Sequence, residues 1–244
     1  MDALQILESQ ILRNRQTQTN WERSREHREI IHKHLTQHGN ASLLRCYGAG
    51  NCNDLDLREL VKSFTAIELV DIDTDAMELA LQRQKVKGED GIRIVGGLDL
   101  SSGEHTPKQA AEITVSSCLY SQLLEQHLSG TEPTAALIAK FRKKHLDMLI
   151  RGTKPQGHIY FISDIVSDLT APQLKRIPNK ELNGFLSKAI EKRNFFSGTN
   201  PFAIQNQLNE DPRVDTTNLL DAWKWKLGAR TFAVYGIYTQ LKSS

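Results

Sequence analysis

Apolar positions along the 244-residue chain change their period near residue 42. Before that point Leu4, Leu7, Ile11 and Leu12 recur at helical spacing over 3–15, and Trp21, Ile30, Ile31 and Leu35 do the same over 21–36. Two helices are therefore predicted, forming a cap over residues 1–40. Beyond it, short apolar runs alternate with helix-period segments. "SLLRCY", "AIELVD", "GIRIVGG", "EITVSSCLY" and "GHIYFISDIV" read as five strands. Between them lie helical patterns over 54–64, 74–84 and 134–150. Thr74 is the expected N-cap of the second, with Met77 and Leu81 behind it, and the third carries Leu137, Ile138, Phe141, Leu146 and Leu149. Such alternation predicts an α/β domain over 41–244 with a doubly wound, mostly parallel sheet of about seven strands.

The end of the chain reads differently. "AWKWKL" sets Trp223, Trp225 and Leu227 against Lys224 and Lys226, and after Gly228 comes "RTFAVYGIYTQL". Two strands this close, joined through a glycine, predict a C-terminal antiparallel hairpin. Between the fifth strand and that hairpin, 166–218 reads as a polar insertion with helical pieces near 171–177 and 180–193.

Charge and cysteine content narrow the function classes. Thirty-one basic and 29 acidic side chains leave a net charge of +2, too even for a broad nucleic-acid footprint. No apolar run reaches membrane-spanning length, and the start lacks a signal pattern. Cys46, Cys52 and Cys118 show neither zinc-ligand spacing nor a disulfide framework. The expectation is a cytoplasmic protein without a bound metal. His34 and His38 share a helical face, but no third ligand accompanies them. "KFRKKHLDMLIRGTK" is read as the wet side of a helix, and the Trp223/Trp225 alternation as a half-buried strand face.

The candidate chemistry begins at "YGAGNCND", where Gly48 and Gly50 fall between a strand and a helix. Glycines there allow a tight turn and let backbone amides face a ligand. Asp71 ends the next strand about 20 residues on, the spacing at which a carboxylate can accept ribose hydroxyls. Together these describe a nucleoside-containing ligand. A dinucleotide site would want a third glycine where Asn53 stands, which counts against a nicotinamide-dependent oxidoreductase.

The ordered set "YGAGN", "LVDID", "VGGLDL" and "AWKWKLGARTFAVYGIY" resembles the class I S-adenosylmethionine-dependent methyltransferases, a Rossmann-like superfamily. The resemblance covers about residues 42–240, apart from the insertion. It implies S-adenosyl-L-methionine as cofactor and methyl transfer to an unidentified acceptor, for which a small molecule is the expectation. It also implies that the backbone of Gly48, Ala49 and Gly50 lines the methionine part, Asp71 holds the ribose, and Ile72 packs on the adenine. Asp99 would stand near the adenine amino group, with Cys118 and Leu119 flanking the adenosine. Two positions depart from the family pattern: Cys46 stands where an acid is common, and Cys52 where a third glycine is. Asp54 or Asn53 would then be the substitute for the acid, or else a cap on the following helix.

Methyl transfer needs a base only if the acceptor must lose a proton. Tyr120, Ser121, Gln122 and Asp164 are candidates at the carboxyl ends of strands four and five, while His158 falls at the opposite edge. "SSCLYSQ" lacks the Asn-Pro-Pro-aromatic signature of amide and exocyclic-nitrogen methylation. The missing acid keeps open a second reading, a protein that binds the cofactor without transferring its methyl. The insertion, with Phe195 and Phe196 beside Gly198 and Pro201, is expected to act as a lid.

Overall fold

The computed structural model describes residues 3–39, 41–130 and 132–243. Two helices, α1 (Ala3–Thr17) and α2 (Arg25–Thr36), precede the sheet. Strands β1 (Ala41–Tyr47), β2 (Phe64–Val70), β3 (Ile92–Val95), β4 (Ala111–Ser117) and β5 (Thr153–Ser167) are all parallel. The helices between them are α3 (Leu57–Ser63), α4 (Thr74–Gln84), α5 (Tyr120–Leu128) and α6 (Ala135–Arg151). Next come α7 (Leu182–Glu191), α8 (Pro201–Asn209), β6 (Val214–Leu219), β7 (Trp223–Leu227) and β8 (Arg230–Leu241).

The sheet runs β3-β2-β1-β4-β5-β8-β6, with β7 also pairing β8. β8 is antiparallel to β5, and β6 and β7 share its far edge one after the other. The hairpin expected around Gly228 is therefore β7–β8, its turn held by φ +61° at that glycine. The strand count is eight rather than about seven, because β6 falls inside the segment read as an insertion. "VDTTNL" gave no strand signal: only Val214 is buried, as befits a polar edge strand.

Each face of the sheet carries its own apolar core. Ile31 and Leu35 of α2, Leu57 and Leu60 of α3, and Met77 of α4 bury against Leu44, Ile67, Leu69 and Val115. On the other face Phe141 and Leu149 of α6, Leu182 and Leu186 of α7, and Ile204 and Leu208 of α8 pack on Phe161, Ile165 and Ile237. Strands covered on both sides must be apolar on both sides, hence the unbroken apolar runs in the sequence.

Local chemistry explains where elements begin. Asp73, not Thr74, caps α4, its carboxylate accepting from Ala76 N at 3.1 Å. β4 ends at Ser117, the backbone of Cys118 turns to φ +48°, and Tyr120, expected as the last strand residue, instead opens α5. α8 follows an Asn200 cap with Pro201 at its first position, a helix-start signature that was present in "TNPF". α1 is the loosest element. Leu12 is 57% exposed, Leu7 and Ile11 are half-buried, and the Leu4 side chain lies outside the described residues. No helix among the described residues is long and apolar enough to cross a membrane.

Candidate functional site

The strand order reverses between β1 and β4, so their carboxyl ends open a crevice of the kind in which open α/β sheets take ligands. The glycine loop sits at that crevice. Gly48 and Ala49 donate their amides to Val70 O at 2.9 and 3.3 Å, tying the loop to the end of β2. Gly48 has φ +74°, and a Cβ there would lie 2.8 Å from Leu119 Cβ, so only glycine allows α5 to approach this closely. Ala49 is buried in the core, and its carbonyl accepts from Cys52 N at 2.7 Å. Cys52, at the family's third-glycine position, keeps the left-handed backbone with φ +47°.

Asp71 joins loop to strand. Its Oδ2 accepts from Gly50 N and its Oδ1 from Asp73 N, both at 2.9 Å. Burial pushes the carboxyl up to about 6, against the pull of those two amides. Each oxygen keeps a lone pair for a further donor.

A cavity of about 20 Å3 opens beside this carboxyl. Asp71, Ile72, Asp99 and Leu119 line it, so four of the eight expected cofactor residues converge. Asp99 also caps a short 3-10 turn through Ser101 N at 2.8 Å. Leu98, Leu100 and Leu123 supply apolar walls; the first two flank Asp99 in "GGLDL", a pattern legible once Asp99 was singled out. Gln10 of α1 completes the lining, and nothing in its surroundings marked it in the sequence. Cys118 is not among the lining residues. It is buried in the core on the α2–α4 face, and burial drives its thiol well above the usual range.

The candidate bases fare differently. Tyr120 is fully buried against Phe141, His145 and Phe161, its hydroxyl donating to Gly198 O at 3.4 Å. The ring sits in the α6–α8 core, and that burial raises the hydroxyl far above its ordinary value. Asp164 is buried near the end of β5, accepts from Ser121 Oγ at 2.5 Å, and is pushed up to about 6 by burial. Gln122 donates to Cys118 O at 2.7 Å. Asp54, half-buried just past the glycine loop, is likewise pushed up to about 6 by burial. Asn53 instead donates to Thr17 O at 2.8 Å, tying α1 to the loop. His158 does lie at the opposite edge, stacked on His38 with ring centroids 3.9 Å apart.

The residues fit a nucleoside in kind: an acidic strand end, apolar walls, and a glycine turn tied to that strand end. They do not fit it in room. Small-molecule pockets span roughly 300–1,000 Å3, and Gln10 of α1 is part of what fills this one.

No family profile matches the sequence. No curated protein matches it either. Solved structures do match in fold. The N-methyltransferase NodS from Bradyrhizobium japonicum WM9 superposes at TM-score 0.55, with 14% identity over 92% of this chain and 98% of that one. Its complex with S-adenosyl-L-homocysteine gives 0.53 and 12% identity, covering 93% and 98%. A SAM-dependent methyltransferase from Methanosarcina mazei gives 0.51 and 13% identity, covering 88% and 98%. The chain has the class I S-adenosylmethionine-dependent methyltransferase fold.

Proposed function

We propose that this protein binds S-adenosyl-L-methionine and transfers its methyl group to a small-molecule acceptor. One observation carries the reading: a buried carboxylate, Asp71, closes on the Gly50 amide at the crevice of this fold. In the proposed complex Asp71 accepts the ribose hydroxyls on its remaining lone pairs. Ile72, Leu98 and Leu100 pack on the adenine, and Asp99 stands near its amino group. The glycine-loop backbone from Gly48 to Gly50 lies along the methionine part. When bound, S-adenosyl-L-methionine would supply an already activated methyl group, with sulfur as the leaving group. The chain's part is to orient and to exclude water. Asp164, held by Ser121, is the residue placed to take a proton from an acceptor that must lose one. The near-neutral charge supports a small acceptor over a nucleic acid.

A second reading, cofactor binding without transfer, draws on the burial of Tyr120 and on Cys46 at the usual acidic position. Two measurements decide. Thermal shift with S-adenosylhomocysteine and with NAD tests the ligand: the first is expected to raise the melting point and the second to leave it unchanged. A shift with NAD alone overturns the cofactor. Methyl release from labelled S-adenosylmethionine across an acceptor panel then separates enzyme from binder.

A further inference from the structure

The Cα of Gly50 makes its close approach to α1, not to a ligand. A Cβ there would lie 2.9 Å from Asn14 Oδ1. The same amide donates to Asp73 Oδ2 at 2.9 Å, on the acid that caps α4. From the loop, Asn51 Nδ2 donates to Asn14 O at 2.6 Å and Thr17 Oγ1 at 3.1 Å. Farther along α1, Gln10 Nε2 donates to Gln126 Oε1 at 2.9 Å, Gln126 returns a bond to Ser9 Oγ at 3.2 Å, and Arg13 pairs with Glu125 at 2.8 Å. α1 thus spans the crevice from glycine loop to α5, and its described contacts there are polar.

We infer that α1 is the gate of the nucleoside pocket, with Gln10 in its wall and Asn14 as the latch on the glycine loop and Asp73, so that ligand enters only when α1 lifts. The inference rests on the cofactor reading above. Three features favour it. The cavity under α1 is about 20 Å3, room for about one water and far short of a nucleoside. The helix keeps Leu12 in solvent and docks through groups that water can replace at little net cost. Finally, the chain is pinned immediately after it. Trp21 lies under the guanidiniums of Arg28 and Arg83, at 3.4 and 5.0 Å from its ring centroid, and Arg83 also holds Gln18 O. With the chain pinned from Gln18 onward, a break at the end of α1 can release that helix without disturbing α2. On closing, Gln10 returns as one wall of the filled pocket.

The test is a covalent tether on the full chain. Arg13→Cys with Glu125→Cys places two thiols across the outer ion pair, and a short bis-maleimide joins them, since Cys46, Cys52 and Cys118 are all buried. Association with S-adenosylhomocysteine is followed by stopped-flow tryptophan fluorescence. Before tethering, the double variant should bind as wild type does, with a rate that levels off at high ligand because opening comes first. Tethering should slow association about tenfold or more. Asn14→Ala, which frees Asp73 and the loop, should raise the plateau several-fold. Native-rate binding by the tethered protein overturns the gate. Failure of the untethered wild type to bind overturns the cofactor reading instead.

Discussion

Two segments flank the crevice, and they are built from opposite materials. α1 meets the glycine loop and α5 through amides, a hydroxyl and one exposed ion pair. The segment between β5 and β7 buries Leu174, Leu182, Leu186, Ile204 and Leu208 in the same core as β5 and β8. Polar contacts regain water bonds when a segment lifts, at little net loss, whereas apolar burial has no such replacement. The long connection expected to act as a lid packs as part of the core, and the short N-terminal helix read as a cap is the segment we propose to move.

The sharpest way to break this contrast is to weaken both sides equally. Ile204→Ala removes a fully buried side chain from α8 and is expected to lower unfolding free energy by about 2–5 kcal/mol. Removing α1 through residue 17 should cost much less, because its partners regain water. Urea melts of the two proteins provide the check. A larger loss from the α1 deletion would make that helix part of the core.

Asp71→Ala comes next. Losing charge-assisted bonds to the ribose, at roughly 1.5–3 kcal/mol each, should weaken S-adenosylhomocysteine by about tenfold to a hundredfold. The same change leaves the Gly50 and Asp73 amides without their acceptor, so some stability is lost too, by about 1–3 kcal/mol. Calorimetric titration of the folded variant reads the first effect. Unchanged affinity would mean that a different acid holds the ribose.

Acid pH distinguishes the crevice from the core by sign. Asp54, Asp71 and Asp164 are raised from 3.8 to about 6 in the fold. The folded state therefore holds their protons more tightly, and their contribution to stability is full below about 3.8 and lost as pH rises through 6. His27 and His145 are depressed from 6.5 to about 3 and about 4 by burial. Their contribution is full above 6.5 and is lost as pH falls through those values. The two trends oppose each other between pH 6 and 4, so the imidazoles should drive unfolding only below about 4. Affinity should respond earlier. Protonated Asp71 accepts poorly, so S-adenosylhomocysteine binding should fall about tenfold per unit below pH 6. Titrations at pH 7.5 and 5 check this, and equal affinities would exclude Asp71 as the acceptor.

How much of this was legible follows from the range of each interaction. β1 to β5 announce themselves through apolar runs, because strands buried on both faces leave no other composition. The Gly48, Gly50 and Asp71 constellation was readable because turn and strand end are close in sequence. β6 was not, since a polar edge strand has no period to detect. Gln10 and Asn14 were not, because what brings them to the crevice is the docking of α1 against residues 37 to 117 positions away. Tyr120 looked available for catalysis only while Cys118 and Leu119 were read as strand. With the helix starting at Tyr120, its ring turns into the core.

The smallest expected effect concerns Phe195 and Phe196, the pair that suggested a lid. Phe195 packs on the core of the α6–α8 face. Phe196 reaches the opposite core, 6.3 Å from the Phe232 ring, and its amide donates to Ile165 O at 2.8 Å. One aromatic therefore enters each core, with backbone stitched to β5 between them, which is how a connection is anchored rather than hinged. Replacing both by alanine should lower stability, since both are half-buried, yet leave S-adenosylhomocysteine affinity within about twofold, because neither lines the nucleoside cavity. Hydrogen exchange supplies the contrast. With ligand added, amides of α1 should slow as the gate closes on a filled pocket, while those of 166–218 should stay as they were. Slowing across 166–218 with no change in α1 would exchange the roles of the two segments and restore the insertion as the moving part.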